Sequence, residues 1–324
     1  FEGAFLSVDI SGFTSLAARL SQQGGEGVER IGEILTAFFT ELVALVEGDG
    51  GVVFGFEGDA LMAAWQGDAA DPSRALRQCC NCALEVQWKL GGWNADGQNL
   101  RLRMSIGAGE IELVHLGTST HRCYFVPGGE AVEQAAALVP ATNPNEILIS
   151  HDAWLSVKDL CDAEEKKNGT VRLLRLKEPP QRGTSRPHRA VPSTSIDCYL
   201  PQALRAYLNS ALPNWVGEIR RVTIIFIKVL FASKDVPLSD LNHTLLKIER
   251  AIEGEGGEIL EVSASEDGLE ALCVFGFPGT GVKDVGQHAI LATITAHKEL
   301  NDGDMSASAG IATGQVFCGP VGPE

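Results

Sequence analysis

One stretch of this chain is written twice. Gly50-Gly51-Val52-Val53, a turn and Leu61-Met62-Ala63-Ala64-Trp65 return as Gly256-Gly257-Glu258-Ile259, a turn and Leu269-Glu270-Ala271-Leu272-Cys273-Val274-Phe275. Ser105-Ile106-Gly107-Ala108-Gly109-Glu110-Ile111 returns as Ala309-Gly310-Ile311-Ala312-Thr313-Gly314-Gln315-Val316. Gly257 lies 206 residues after Gly51 and Gly314 lies 205 after Gly109, so the two offsets agree to within one residue. A period of this length is too long for a solenoid and points to two copies of one domain. With 324 residues, each copy has room for its own core.

The first copy reads strand, long helix, strand, strand, helix, strand over roughly 4–9, 27–47, 52–57, 60–65, 73–91 and 101–114. This predicts an α+β fold built on a ferredoxin-like β-α-β-β-α-β unit, used in tandem. Ile31, Ile34, Leu35, Phe38, Leu42 and Leu45 fall at three- and four-residue steps, which marks the core face of the long helix. The copy continues through Tyr124-Phe125-Val126, a helix at about 130–139, Ile147-Leu148-Ile149 and a last strand at Val171–Leu176. Pro179-Pro180, Pro187 and Pro192 mark a linker. The expected organisation is a first domain at 1–176, a linker at 177–217 and a second domain at 218–324. The second copy starts at Val222-Thr223-Ile224-Ile225-Phe226-Ile227 and reaches Glu324 just past the equivalent of Gly117, so it is expected to be truncated at its C-terminus.

Hydrophobic residues make up 44% of the chain and charged residues 21%, an ordinary globular balance. The 26 basic residues against 42 acidic ones give −16, which argues against nucleic acid or an anionic membrane as the main partner. No apolar run approaches the ~20 residues of a membrane span, and no signal peptide precedes the first strand. A cytoplasmic protein is the expectation, and the absence of an initial Met suggests a piece of a longer one. The eight cysteines are scattered. Cys79-Cys80-Asn81-Cys82 has no second pair to complete a zinc site, so reduced, buried thiols are expected.

The chemistry centres on two aspartates. Phe5-Leu6-Ser7-Val8-Asp9-Ile10-Ser11-Gly12-Phe13-Thr14 reads as a strand that delivers a carboxylate and turns into a helix. Val52 to Trp65 reads as two strands around a Glu57-Gly58-Asp59 turn. Two carboxylates at the ends of adjacent strands can share hard cations that hold substrate phosphates, and a helix N-terminus beside them offers free N–H groups. Ordinary roles compete with this reading, since aspartate also caps helices and fills turns.

The runs Val8-Asp9-Ile10-Ser11-Gly12-Phe13-Thr14 and Gly58-Asp59-Ala60-Leu61 resemble the metal-binding strand and hairpin of class III nucleotidyl cyclases. With Leu272-Cys273-Val274-Phe275-Gly276-Phe277-Pro278-Gly279 and Gly314-Gln315-Val316-Phe317-Cys318-Gly319-Pro320-Val321-Gly322, the resemblance extends to the tandem catalytic domains of soluble, bicarbonate-responsive adenylyl cyclases. It implies intramolecular pairing of the two copies and conversion of ATP to cAMP and pyrophosphate, with two Mg²⁺ or Mn²⁺ ions per site. Asp9 and Asp59 match the two metal carboxylates, the Ile10 carbonyl matches the backbone ligand, and Ser11, Gly12, Phe13 and Thr14 match the phosphate cradle.

The sequence also departs from the family. Lys228 stands where Asp9 stands in the first copy, and Glu133 and Ala137 fall where a transition-state Asn and Arg would be. The second copy would then supply that pair, beyond Glu324, so these residues alone should be nearly inactive. Glu261 takes the place of a purine-reading lysine, as in guanylyl cyclases, since a carboxylate accepts from guanine N1–H and N2. An exposed strand glutamate is the plain alternative. Gly55 and Ala136 stand where bicarbonate-responsive members carry cations. ATP remains the favoured substrate. GTP, or a non-catalytic nucleotide-binding module, are the other readings.

Overall fold

The computed structural model describes residues 1–68, 70–71, 73–118, 122–166, 169–180, 197–201, 204–205, 218–232, 236–265, 268–277, 284–301 and 305–319. Most of the linker, together with Pro278-Gly279 and Pro320-Val321-Gly322, lies outside them. The chain divides into two compact units, one holding 1–112 and 127–180, the other 113–126 and the described residues from 197 on.

The first unit opens with β1 (Glu2–Ser11), α1 (Phe13–Ser21), α2 (Gly25–Gly48), β2 (Val52–Glu57), β3 (Ala60–Gln66), α3 (Arg74–Leu90), a small hairpin of β4 (Asn94–Ala95) and β5 (Gln98–Asn99), and β6 (Arg101–Glu110). The hairpin of β7 (Glu112–Gly117) and β8 (Cys123–Gly128) follows, then α4 (Glu130–Leu138), β9 (Glu146–Ile149), α5 (His151–Val157), β10 (Cys161–Glu165) and β11 (Val171–Leu176). Seven strands form one sheet in the order β10-β11-β9-β6-β1-β3-β2.

Alternation along β1 assigns its two faces. Leu6, Val8 and Ile10 are buried on the side of α3, while Phe5 packs with Ala131 and Ala135 of α4 on the other. The stripe Ile31, Ile34, Leu35, Phe38, Leu42 and Leu45 is buried along α2. Gly107 lets α4 approach, because a Cβ there would lie 2.0 Å from the Ala131 carbonyl oxygen. All eight cysteines are free, and burial pushes the Cys79, Cys80 and Cys82 thiols up.

Three features differ from the sequence reading. The strand expected at 101–114 breaks at Ile111, whose N–H donates to the Phe1 carbonyl at 2.8 Å, and a separate strand follows. β1 runs to Ser11 rather than stopping at Asp9, because Ile10 and Ser11 still pair with Leu102 and Arg101. The elements α5 and β10 were not expected. Ser150 caps α5 by accepting the Ala153 N–H at 3.1 Å.

In the second unit β12 (Glu218–Phe231), α6 (Leu238–Gly254), β13 (Glu258–Ser265), β14 (Gly268–Phe275), α7 (Val285–Leu300) and β15 (Met305–Cys318) form a sheet ordered β13-β14-β12-β15. Leu116, Tyr124 and Val126 of the β7–β8 hairpin are buried in its core with Ile225, Ile227 and Leu245.

The two registers correspond. Ala4 pairs with Trp65 as Thr223 pairs with Phe275, and Gly3 pairs with Gly109 as Val222 pairs with Gly314. Each copy also carries a β-bulge at the same place, between Val53 and Gly55 and between Ile259 and Glu261. Lys228 therefore holds the register position of Asp9, and Glu261 that of Gly55. The repeated glycines have a steric cause: a Cβ on Gly51 would meet the Trp65 ring at 2.6 Å, and one on Gly257 would meet the Phe275 ring at 2.5 Å. Gly257→Ala should destabilise the chain by roughly 1–3 kcal/mol through overpacking. Gly310→Ala, where nothing lies within 4 Å, should be near neutral in the same chemical denaturation experiment.

Candidate functional site

Asp9 and Asp59 are brought together by strand pairing. Asp9 opposes Ala60 across β1 and β3, so Asp59 is one residue from its cross-strand partner. Glu57 pairs with Ala60, leaving Gly58 and Asp59 as a two-residue turn in which Gly58 has φ +63°. A positive φ at the first central position favours glycine.

The third member is Arg103, which opposes Asp9 from the other side. Its Nε donates to Asp9 Oδ2 at 2.6 Å and its Nη2 contacts the same oxygen, so Oδ1 is left out of the pair. The Asp9 side chain is 18% exposed and that of Arg103 38%, so Asp9 is fixed at the rim of the core. Sequence reading did not single out Arg103. Its signal was the alternation of Arg101 and Arg103 with buried Leu102 and Met104, which becomes legible once β6 is paired with β1.

Burial, and then the negative charge of Asp9, push the Asp59 carboxyl up, while a backbone N–H and Arg103 pull it down. A carboxyl raised by its neighbour's negative charge is one a cation would relieve. With the Ile10 carbonyl in the same strand, the donor set is all oxygen and suits Mg²⁺ or Mn²⁺, which keep water and phosphate oxygens in their shells. No group of three or more His, Cys, Asp or Glu able to hold a metal occurs among the described residues, so the protein would furnish only part of a coordination shell.

Beyond Ser11 the chain turns through Gly12, at φ +98°, into α1. No side chain caps this helix and its first turn carries no acid, so the N–H groups of Phe13 and Thr14 are available to an anion. The Gly12 carbonyl accepts from Gln98 Nε2 at 2.7 Å and from Ser15 Oγ at 2.8 Å, while Gln98 also bonds Ser15 Oγ at 2.7 Å. The β4–β5 hairpin is tied to α1 through Arg19, which donates to the Asp96 carbonyl at 2.9 Å. No sequence pattern announced Gln98.

The other candidates lie elsewhere. Glu133, Ala136 and Ala137 are exposed on α4. Glu261 belongs to the second unit, on β13. Lys228 donates to Glu270 Oε1 at 2.6 Å, so the position equivalent to Asp9 holds a cation already paired across the sheet.

Residues 4–178, more than half of the chain, match the adenylate and guanylate cyclase catalytic domain. The chain belongs to this family. Along 99% of its length it is also 27% identical to adenylate cyclase type 10 of Homo sapiens and of Mus musculus, spanning 22% of those proteins. A class III adenylyl cyclase-like ATP-binding protein from Pseudomonas aeruginosa shares the fold over 100% of this chain and 77% of its own, with a TM-score of 0.60 at 12% identity. No helix among the described residues is long and apolar enough to cross a membrane.

The raised Asp59 carboxyl predicts a pH signature. A carboxyl raised in the fold destabilises it when ionised; that penalty is absent below the unfolded value and grows as pH rises through the folded one. In metal-free protein, Asp59→Asn should raise Tm near neutral pH. The gain should shrink toward zero at about pH 3.5, below the unfolded aspartate pKa of about 3.9, as scanning calorimetry would show.

Proposed function

We propose that this chain is the tandem catalytic region of a class III cyclase that converts ATP to cAMP and pyrophosphate. Each copy would be a ferredoxin-like domain, at 1–176 and 218–324, with 177–217 as linker. The observation that carries the reading is the placement of Asp9 on β1 and Asp59 in the turn that leads into the neighbouring β3, beside an uncapped helix start, in a chain of which 99% is similar to part of adenylate cyclase type 10.

In this reading Asp9, Asp59 and the Ile10 carbonyl hold two Mg²⁺ or Mn²⁺ ions. Bound there, the ions would lower the pKa of the ribose 3′-hydroxyl and offset charge on the α-phosphate and the leaving pyrophosphate. The residues of the chain position. Arg103 fixes Asp9 in one rotamer, and the N–H groups from Ser11 to Thr14 cradle the terminal phosphates. The first copy would supply the metal half of the site, and the second the base-reading half through Glu261. The Lys228–Glu270 pair favours a single metal site in the chain, since cations would meet a positive charge at the second position.

Asp9→Ala and Asp59→Ala should each abolish Mn²⁺-dependent nucleotide binding in calorimetry. Undiminished binding in both variants overturns the metal assignment. Gly55 and Ala136 offer no cation to a small anion, and backbone donors rarely replace a charge-assisted contact. Bicarbonate at fixed pH and ionic strength should therefore change the activity of the full-length protein by less than about twofold; a rise of tenfold, ~1.4 kcal/mol, would contradict this.

GTP is the second reading, and the bulge in β13 favours it. The extra residue sets Glu261 opposite Leu272, on the sheet face away from the helices, where it can meet a ligand. Glu261→Lys should then shift kcat/KM toward ATP, by a large factor if the carboxylate pairs with the base. An unchanged ratio places Glu261 outside the purine pocket.

A further inference from the structure

A carboxylate that reads a base must be held on the correct face of its strand, and β13 achieves this with an inserted residue. Ile259 pairs with Cys273 and Glu261 with Leu272, so Leu260 is bulged out of the ladder. Were Leu260 paired in a regular ladder, it would oppose Leu272 and Glu261 would oppose Ala271, which is 1% exposed and part of the core, with the carboxylate pointing inward. With the bulge Glu261 shares a row with Leu272 and Phe226, the latter 45% exposed. Conserving this bulge is a condition for presenting Glu261 at all.

A bulge disrupts the ladder locally, and its carbonyls need another donor. That donor is Arg122, the residue before β8. Its Nη1 donates to the Ile259 carbonyl, and its Nη2 donates to the Leu260 carbonyl at 3.2 Å. Nη1 also lies 3.7 Å from Glu258 Oε1, and the guanidinium sits 4.9 Å from the centroid of the Tyr124 ring. The Arg122 backbone N–H donates to Glu249 Oε1 at 3.3 Å. With its side chain only 10% exposed, Arg122 is held through both Nη groups, while its buried Nε has no hydrogen-bond partner. A planar fork can serve two adjacent carbonyls at once, which a lysine ammonium on a flexible stem does poorly.

We propose that Arg122 is a positioning residue for purine selection: it clamps the bulge that turns Glu261 toward the substrate. The proposal rests on the reading of Glu261 as the base contact. It makes base preference a joint property of the two copies, because Arg122 belongs by sequence to the first and Glu261 to the second.

The test is carried out on the full-length protein with Arg122→Met and Arg122→Lys, alone and combined with Glu261→Lys. The readouts are the ratio of ATP to GTP affinity in Mn²⁺ by calorimetry, and Tm. Arg122→Met should move the ratio by about tenfold in the same direction as Glu261→Lys, a scale set by the sensitivity of sites to small misplacements. Arg122→Lys should retain part of the wild-type preference. In the Glu261→Lys background the Arg122 effect on the ratio should vanish, as expected for residues acting through one another. A purely structural role would weaken both nucleotides alike and leave the ratio fixed, which overturns the proposal. Should Arg122→Met fail to fold, Arg122→Lys carries the same comparison. If Glu261→Lys itself leaves the ratio unchanged, the base reading fails and takes this proposal with it. If Glu261→Lys moves the ratio and neither Arg122 variant does, only the clamp is wrong.

Discussion

β1 lies inside its sheet with β3 on one side and β6 on the other, and its register with both decides which of its residues meet solvent. Leu6, Val8 and Ile10 fill the core on the α3 side, so a slip by one residue would turn all three to the opposite face and turn Asp9 into the core. The hydrophobic alternation thus enforces the position of the carboxylate. The same register sets Ala60 beside Asp9 and so brings Asp59 within its electrostatic reach, and it sets Arg103 on the opposite flank. The candidate site follows from correct strand pairing together with two tight turns, at Gly58-Asp59 and at Gly12.

Much of this was legible in the sequence because it follows from period and turn chemistry. The α2 stripe, the Gly58-Asp59 turn and the strand-to-helix passage at Gly12 are local patterns with local causes. What escaped depends on pairing between distant segments. Arg103 becomes a partner of Asp9 only when β6 is laid along β1, and Gln98 reaches Gly12 only through the fold. The break at Ile111 arises from a bond to Phe1, which no window around Ile111 contains. The β7–β8 hairpin reads as part of the first copy, yet Leu116, Tyr124 and Val126 bury their side chains in the core of the second unit. A hydrophobic strand announces that it will be buried without saying against what.

The bulges show how one copy can inform the other. Taken alone, the gap near Glu261 makes its alignment ambiguous, because an insertion and a shifted strand look the same in one dimension. Both copies bulge at the same register position, after Val53 and after Ile259, so Gly55 and Glu261 are counterparts. A feature kept in both copies is a property of the shared sheet rather than an accident of either strand. What differs is the residue displayed there: none of consequence in the first copy, a carboxylate in the second.

Charge completes the contrast between the two sheets. Burial and the negative charge of Asp9 push the Asp59 carboxyl up, and a backbone hydrogen bond and Arg103 offset part of that. At the equivalent place in the second copy, Lys228 meets Glu270 across the ladder, with side chains 44% and 31% exposed. A pair so open to water contributes little, about 0–1 kcal/mol. Stability alone gives weak reason for either arrangement. The first sheet sets Asp59 near an Asp9 already held by Arg103, whereas in the second the equivalent of Asp9 is a lysine paired directly across the ladder.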